Sequence, residues 1–110
     1  MFEYAATVVK VIDGDTVDLT VDLGFHVSIA IRTRVLGIDA PETSTSAGKV
    51  ARDRLREELP VGQSVMIHTA KDPGDKYGRW LARIMGPMGD LSEWMVAKGL
   101  AVPYFGGAKP

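Results

Sequence analysis

The sequence contains no cysteine. A disulfide framework, a thiolate zinc site and a cysteine nucleophile are thereby excluded. Net charge is nearly absent too: 13 basic and 14 acidic side chains leave −1, unlike a long basic tail or an acidic disordered chain. Aromatic residues are scarce, at 7%. No apolar run approaches the roughly 18 residues needed to span a bilayer, so no membrane partner is expected. Met1-Phe2-Glu3-Tyr4 has neither a basic n-region nor an apolar core. The chain as given therefore reads without a signal peptide, and a cytoplasmic location is expected, with secretion left open. What is present is an ordinary globular composition, 45% hydrophobic and 25% charged over 110 residues, enough for one domain.

The small net charge hides a division. Residues 1–43 carry three basic and seven acidic side chains, and residues 44–83 carry eight basic and five acidic. An acidic first third beside a basic middle fits a site that holds a cation and a polyanion together. It is equally the composition of an ordinary mixed surface.

Periodicity gives the elements. Tyr4 to Ile12 is β-branched and reads as a strand, with Asp13-Gly14 as a hairpin signal in which Gly supplies positive φ. In Thr16 to Val21, Val17, Leu19 and Val21 share one face. A turn at Asp22-Leu23-Gly24 predicts a third strand from Phe25 to Ile38, with Phe25, Val27, Ile29 and Ile31 alternating on one face, stopped by Pro41. Ala47, Ala51, Leu55 and Leu59 then form one stripe of a helix that offers Thr43 to Ser46 as caps and ends at Pro60 and Gly62. Its other face carries Arg52, Arg54 and Arg56, read as solvated with weak phosphate attraction. Val65–Thr69 and Trp80–Met85 read as strands, separated by a turn-rich loop, Lys71 to Gly78. Asp90 and Glu93 open a second helix with Leu91, Trp94 and Met95 inward and Gly99 as its C-terminal cap. Trp80 and Trp94 are both expected in the core. The prediction is a mainly β chain with helices (α+β): a five-stranded OB-type Greek-key barrel with one helix after strand 3 and one after strand 5. An open α+β sheet has the same order of elements. Residues 1–105 are read as a single domain and 106–110 as a loose tail.

Chemistry concentrates at strand ends. Asp15 shares parity with Val17, Leu19 and Val21 and should point to the apolar side, where a carboxylate needs a cation or several donors. It also suits a turn Asp that caps backbone N–H groups. Asp39-Ala40-Pro41-Glu42 adds two carboxylates around a rigid proline. Asp15, Asp39 and the Ala40 carbonyl are oxygen ligands of the kind a hard cation prefers, and Glu42 could act on a water. Arg34 and Arg79 have the planar fork that suits phosphate oxygens, although either could be a surface ion-pair partner. Three carboxylates and two arginines at turns describe metal-assisted phosphoryl chemistry.

VIDGDTVDL (11–19), RVLGIDAPET (34–43), DKYGRWLA (75–82) and KGLAVPY (98–104) resemble, in order and spacing, the staphylococcal nuclease (thermonuclease) family. The resemblance implies an OB barrel and a Ca²⁺-dependent nuclease that cleaves DNA or RNA with little sequence specificity and leaves 3′-phosphate ends. It assigns Asp15, Asp39 and the Ala40 carbonyl to the metal, although the family's best-studied member has threonine at the Ala40 position. Glu42 becomes the water-activating carboxylate, with Arg34 and Arg79 on the phosphate. Lys76, Tyr77 and Tyr104 would contact substrate. The chain as given stops soon after Tyr104, before the third helix of that best-studied member, so Val102, Pro103 and Phe105 are expected to cover the barrel. Single strands are the expected partner, because a small barrel face stacks unpaired bases rather than reading a duplex groove. A monomer is expected. The competing reading is a non-catalytic OB module that binds nucleic acid; retention of all five charged residues argues for the enzyme.

Overall fold

A computed structural model describes residues 2–70 and 80–104. The β-branched first third forms three antiparallel strands, β1 (Phe2–Asp13), β2 (Thr16–Gly24) and β3 (Val27–Val35). A two-residue strand β4 (Ile38–Asp39) follows, then helix α1 (Ser46–Glu58) and strands β5 (Ser64–Ala70) and β6 (Trp80–Gly86). A short β7 (Gly89–Asp90), helix α2 (Leu91–Ala97) and a short β8 (Val102–Pro103) complete the described chain. The sheet runs β3-β2-β1-β5-β6-β7. A parallel pairing of Thr33–Val35 with Trp80–Ala82 joins β3 to β6 and closes five strands into an OB-type barrel.

The barrel is filled by one face of each strand. Val8, Val17, Leu19, Val35, Ile67 and Ile84 are buried inside, and Ile38, Leu55, Leu59, Leu91 and Met95 pack against them from β4 and the helices. Burying each such side chain fully stabilises by about 1.5–3 kcal/mol. α1 begins where Thr45 turns its hydroxyl back to accept the Gly48 N–H, a cap worth about 1 kcal/mol. α2 is capped by Asp90, which accepts the Ser92 N–H. It ends with Gly99 at φ 71°, where Gly99 N donates to Val96 O and Leu100 N to Met95 O.

Several expectations need correction. The β2–β3 turn lies at Phe25-His26, two residues later than predicted, with φ of 55° and 62°. The strand expected to reach Ile38 breaks at Leu36-Gly37, because Gly37 takes φ 90°. β3 keeps its predicted parity, but the hairpin overruns the core, so Phe25, Val27 and Ile29 are exposed and only Ile31 packs against the interior. Gly14 does not adopt positive φ; it is small because Ala40, Ala51 and Met95 crowd the place a Cβ would take. In α1 the inward residues are Gly48, Ala51 and Leu55, and Ala47 is exposed. Arg56 is exposed, as expected of a solvated face, and its Nε also donates to Val11 O at 3.1 Å. Trp80 is exposed, whereas Trp94 packs against the core. Val102 is exposed too; Leu100 and Ala101 cover the barrel end instead. Phe105 and residues 106–110 lie outside the described residues.

Candidate active site

The site is built from two close approaches of main chain. The first is at Gly14-Asp15, the turn between β1 and β2. A Cβ on Gly14 would stand 2.7 Å from Ala40 Cβ, 3.2 Å from Ala51 Cβ and 3.3 Å from Met95 Cε. Glycine therefore lets the turn wedge between β4 and both helices, which carries Asp15 to the start of the DAPE segment. There the Ala40 N–H donates to Asp15 Oδ2 at 2.8 Å. The Val35 N–H donates to the Asp15 carbonyl at 2.8 Å and ties the turn to the end of β3. The Asp13 carboxylate accepts the Asp15 N–H at 3.0 Å.

The second is the Leu36-Gly37 turn, which sets β4 beside β8 so that Asp39 pairs with Val102. The Tyr104 N–H donates to the Gly37 carbonyl at 2.9 Å. This register brings the Tyr104 ring within 6.0 Å of the Arg34 guanidinium, inside cation–π range.

Arg34 stands between the two carboxylates. Its Nη1 lies 3.5 Å from Asp15 Oδ2 and its Nη2 3.4 Å from Asp39 Oδ1. Nη1 also donates to the Val35 carbonyl at 3.1 Å. The guanidinium side chain is only 13% exposed. Both ion-pair distances exceed the 2.7–2.9 Å of a well-formed charge-assisted bond. Asp15 is 8% exposed. Burial, followed by the neighbouring Asp13 side chain, pushes its carboxyl from 3.8 up to about 6, against the lowering effects of the Ala40 N–H and Arg34. Desolvation outweighs the long arginine contact, so this carboxylate would gain from a second cation.

Of the nine residues predicted for the site, Asp15, Arg34, Asp39, Ala40 and Tyr104 are brought together in the structure. Glu42 lies on the same segment three residues beyond Asp39, exposed, and its carboxylate has no hydrogen bond or ion pair among the described residues. Lys76, Tyr77 and Arg79 lie outside the described residues. Asp13 joins this corner although it reads in the sequence as part of a turn; its spacing of two from Asp15 is the sign that two carboxylates meet here.

No group of three or more His, Asp or Glu side chains forms a ready-made metal cage among the described residues. The donors on offer are two carboxylates and a neighbouring main-chain carbonyl, all hard oxygens. Such a set fits a Ca²⁺-type ion that completes its shell with water and substrate oxygens. The desolvated, weakly compensated Asp15 carboxylate supports that fit.

Together these features describe a class of domain: a five-stranded OB-type barrel that gathers two carboxylates and an arginine at one corner. A family model described as Staphylococcal nuclease homologue matches residues 32–109. Among curated proteins the chain is 33% identical to a micrococcal nuclease of Shigella flexneri over 98% of its own length and 63% of the relative's. It is also 33% identical to an uncharacterized endonuclease of Escherichia coli O157:H7, over 88% of this chain and 59% of that one. It is 33% identical to a thermonuclease of Staphylococcus hyicus, over 94% and 61%. The chain belongs to the staphylococcal nuclease family. It spans about three fifths of the length of these relatives.

Proposed function

We propose that the protein is a Ca²⁺-dependent nuclease that hydrolyses phosphodiester bonds in DNA or RNA, preferring single strands and leaving 3′-phosphate ends. The observation that carries this reading is the convergence of Asp15, Asp39 and Arg34 from three separate strand ends, with Arg34 3.4–3.5 Å from both acids. The names borne by its relatives support the same reaction class. Asp15, Asp39 and the Ala40 carbonyl would hold the ion, which when bound polarises a phosphate oxygen. Glu42, exposed and unpaired among the described residues, accepts the proton of the attacking water. Arg34 is held by acceptors on one side and offers its remaining N–H groups to the phosphate, balancing charge that grows in the transition state. Arg79 is assigned the second such role by family resemblance. The Tyr104 ring, stacked toward Arg34, supplies an apolar face for the base next to the scissile bond.

The test is cleavage of a single-stranded DNA oligonucleotide with Ca²⁺ and with chelator, with end analysis of the products. Arg34→Ala is expected to lower kcat by about 10²–10³, the usual loss for one transition-state donor, while far-ultraviolet circular dichroism stays that of the folded chain. Binding without cleavage by the wild-type protein would replace this reading with the non-catalytic module. Full cleavage in chelator would remove the ion from it.

A further inference from the structure

Helix α1 touches the DAPE segment through a glycine. An ideal Cβ on Gly48 would lie 1.8 Å from the Glu42 carbonyl oxygen, 2.3 Å from the Glu42 carbonyl carbon and 2.8 Å from the Pro41 carbonyl oxygen. All three neighbours are backbone, so no side chain could swing aside. Gly48 itself is buried. Its φ is not positive, so turn geometry does not explain the glycine. Glycine also loosens a helix relative to alanine. The position is therefore held by contact and not by conformation.

The same carbonyl is gripped from a second direction. Thr45 donates to Glu42 O twice, from its N–H at 3.0 Å and from its hydroxyl at 2.6 Å. The Thr45 hydroxyl oxygen in turn accepts the Gly48 N–H at 3.0 Å. Thr45 thus caps α1 and fastens Glu42 with one hydroxyl. One turn further on, Ala51 lies where it would meet a Cβ on Gly14 at 3.2 Å. The start of α1 is seated on both main-chain corners of the site.

We infer that Gly48 is a positioning residue for Glu42: having no side chain, it lets α1 seat directly on the main chain that carries that carboxylate. Glu42 itself lies exposed beyond the short β4, with no side-chain partner among the described residues to aim it. Its aim comes from its own backbone, and the backbone is set by Thr45 and Gly48. A methyl at 48 must push α1 away or displace the Pro41–Glu42 carbonyls, and either changes where the carboxylate points. The inference rests on the reading of Glu42 as the group that activates water.

The experiment is a double-mutant cycle on Gly48 and Glu42 with single-stranded DNA and Ca²⁺. Gly48→Ala in the otherwise wild-type chain is expected to lower kcat by about 10²-fold, the scale of an ångström-sized misplacement, with KM little changed. In a Glu42→Gln background the same substitution is expected to change kcat less than about twofold, because acting through Glu42 leaves nothing further to lose. Leu55→Ala, in the same helix and away from Glu42, lowers stability and leaves kcat unchanged at temperatures where the variant is folded. If Gly48→Ala does not fold, Thr45→Val removes the hydroxyl grip and enters the same cycle. The ¹H–¹⁵N shifts of the Glu42 and Thr45 amides read the displacement without reference to cleavage. Equal losses in both backgrounds, or unmoved Glu42 and Thr45 amides, would overturn the inference. Unchanged cleavage by Glu42→Gln alone removes the role of Glu42 and the coupling with it; an additive Gly48 loss removes only the coupling.

Discussion

Asp15 has been taken out of water by the fold without receiving a strong ion pair, and this shapes the stability of the ion-free protein. Its folded carboxyl titrates at about 6 against an ordinary 3.8, so the native state holds this proton more tightly than the unfolded chain. The group therefore favours folding most below pH 3.8, and that contribution is lost as pH rises from 4 through 6. The difference corresponds to on the order of 3 kcal/mol. Asp15→Asn keeps an acceptor for the Ala40 N–H and removes the ionisation. In chelator, thermal melts should show the variant more stable than wild type at pH 7.5 and the two converging near pH 4. Equal stability at pH 7.5 would mean the buried charge is already well compensated. The same residue shows what a sequence can and cannot say. Strand parity already placed its side chain inward, but the 2.8 Å bond to Ala40, 25 residues away, depends on a turn that packs between two helices.

At the scale of elements, the β2–β3 hairpin departs most from its sequence reading. Its tip puts Phe25, 98% exposed, and His26 in the left-handed region, where Asn-Gly would be comfortable and bulky side chains are strained. Replacing Phe25-His26 by Asn-Gly should raise stability by about 1 kcal/mol without changing kcat, since the turn lies at the far end of both strands from Asp15 and Arg34. Urea denaturation checks this, and a loss of stability would show that the tip is held by something other than its turn. Gly24 has the composition of a turn residue, yet it takes φ 84° beside an irregularity in the β2–β3 register and the turn falls after it. Alternation does not report how far a strand outruns the core it faces. Helix α1 shows the converse error. Ala47 fits the four-residue spacing of Ala51, Leu55 and Leu59, yet the helix rotates to put Gly48 inward, because only a residue without a Cβ can meet the Glu42 carbonyl.

At the scale of the whole molecule, the barrel is a device for bringing remote strand ends to one corner. If Asp15 and Asp39 hold an ion there, Ca²⁺ binds the native state and not the unfolded chain. Its concentration should then raise the unfolding midpoint, by about 2.7 kcal/mol of stability at a hundredfold excess over Kd. The rise should vanish in Asp39→Asn and in chelator, and differential scanning calorimetry reads it apart from activity. An equal rise in Asp39→Asn would put the ion elsewhere.

The sequence by itself determined the order of the long elements, the capping of α2 by Asp90 and Gly99, and the motifs that mark the family and, through the family, imply the OB-type barrel. These are local matters of period, turn chemistry and caps, which act between residues a few positions apart. Only the tertiary structure decided that Arg34 bridges Asp15 and Asp39, that Tyr104 lies over Arg34, and that two glycines are small because neighbours press on them: the side chains of Ala40, Ala51 and Met95 at Gly14, and the Pro41–Glu42 main chain at Gly48. Those facts depend on how separate turns and elements pack against one another, and a missing Cβ leaves no periodic trace to read.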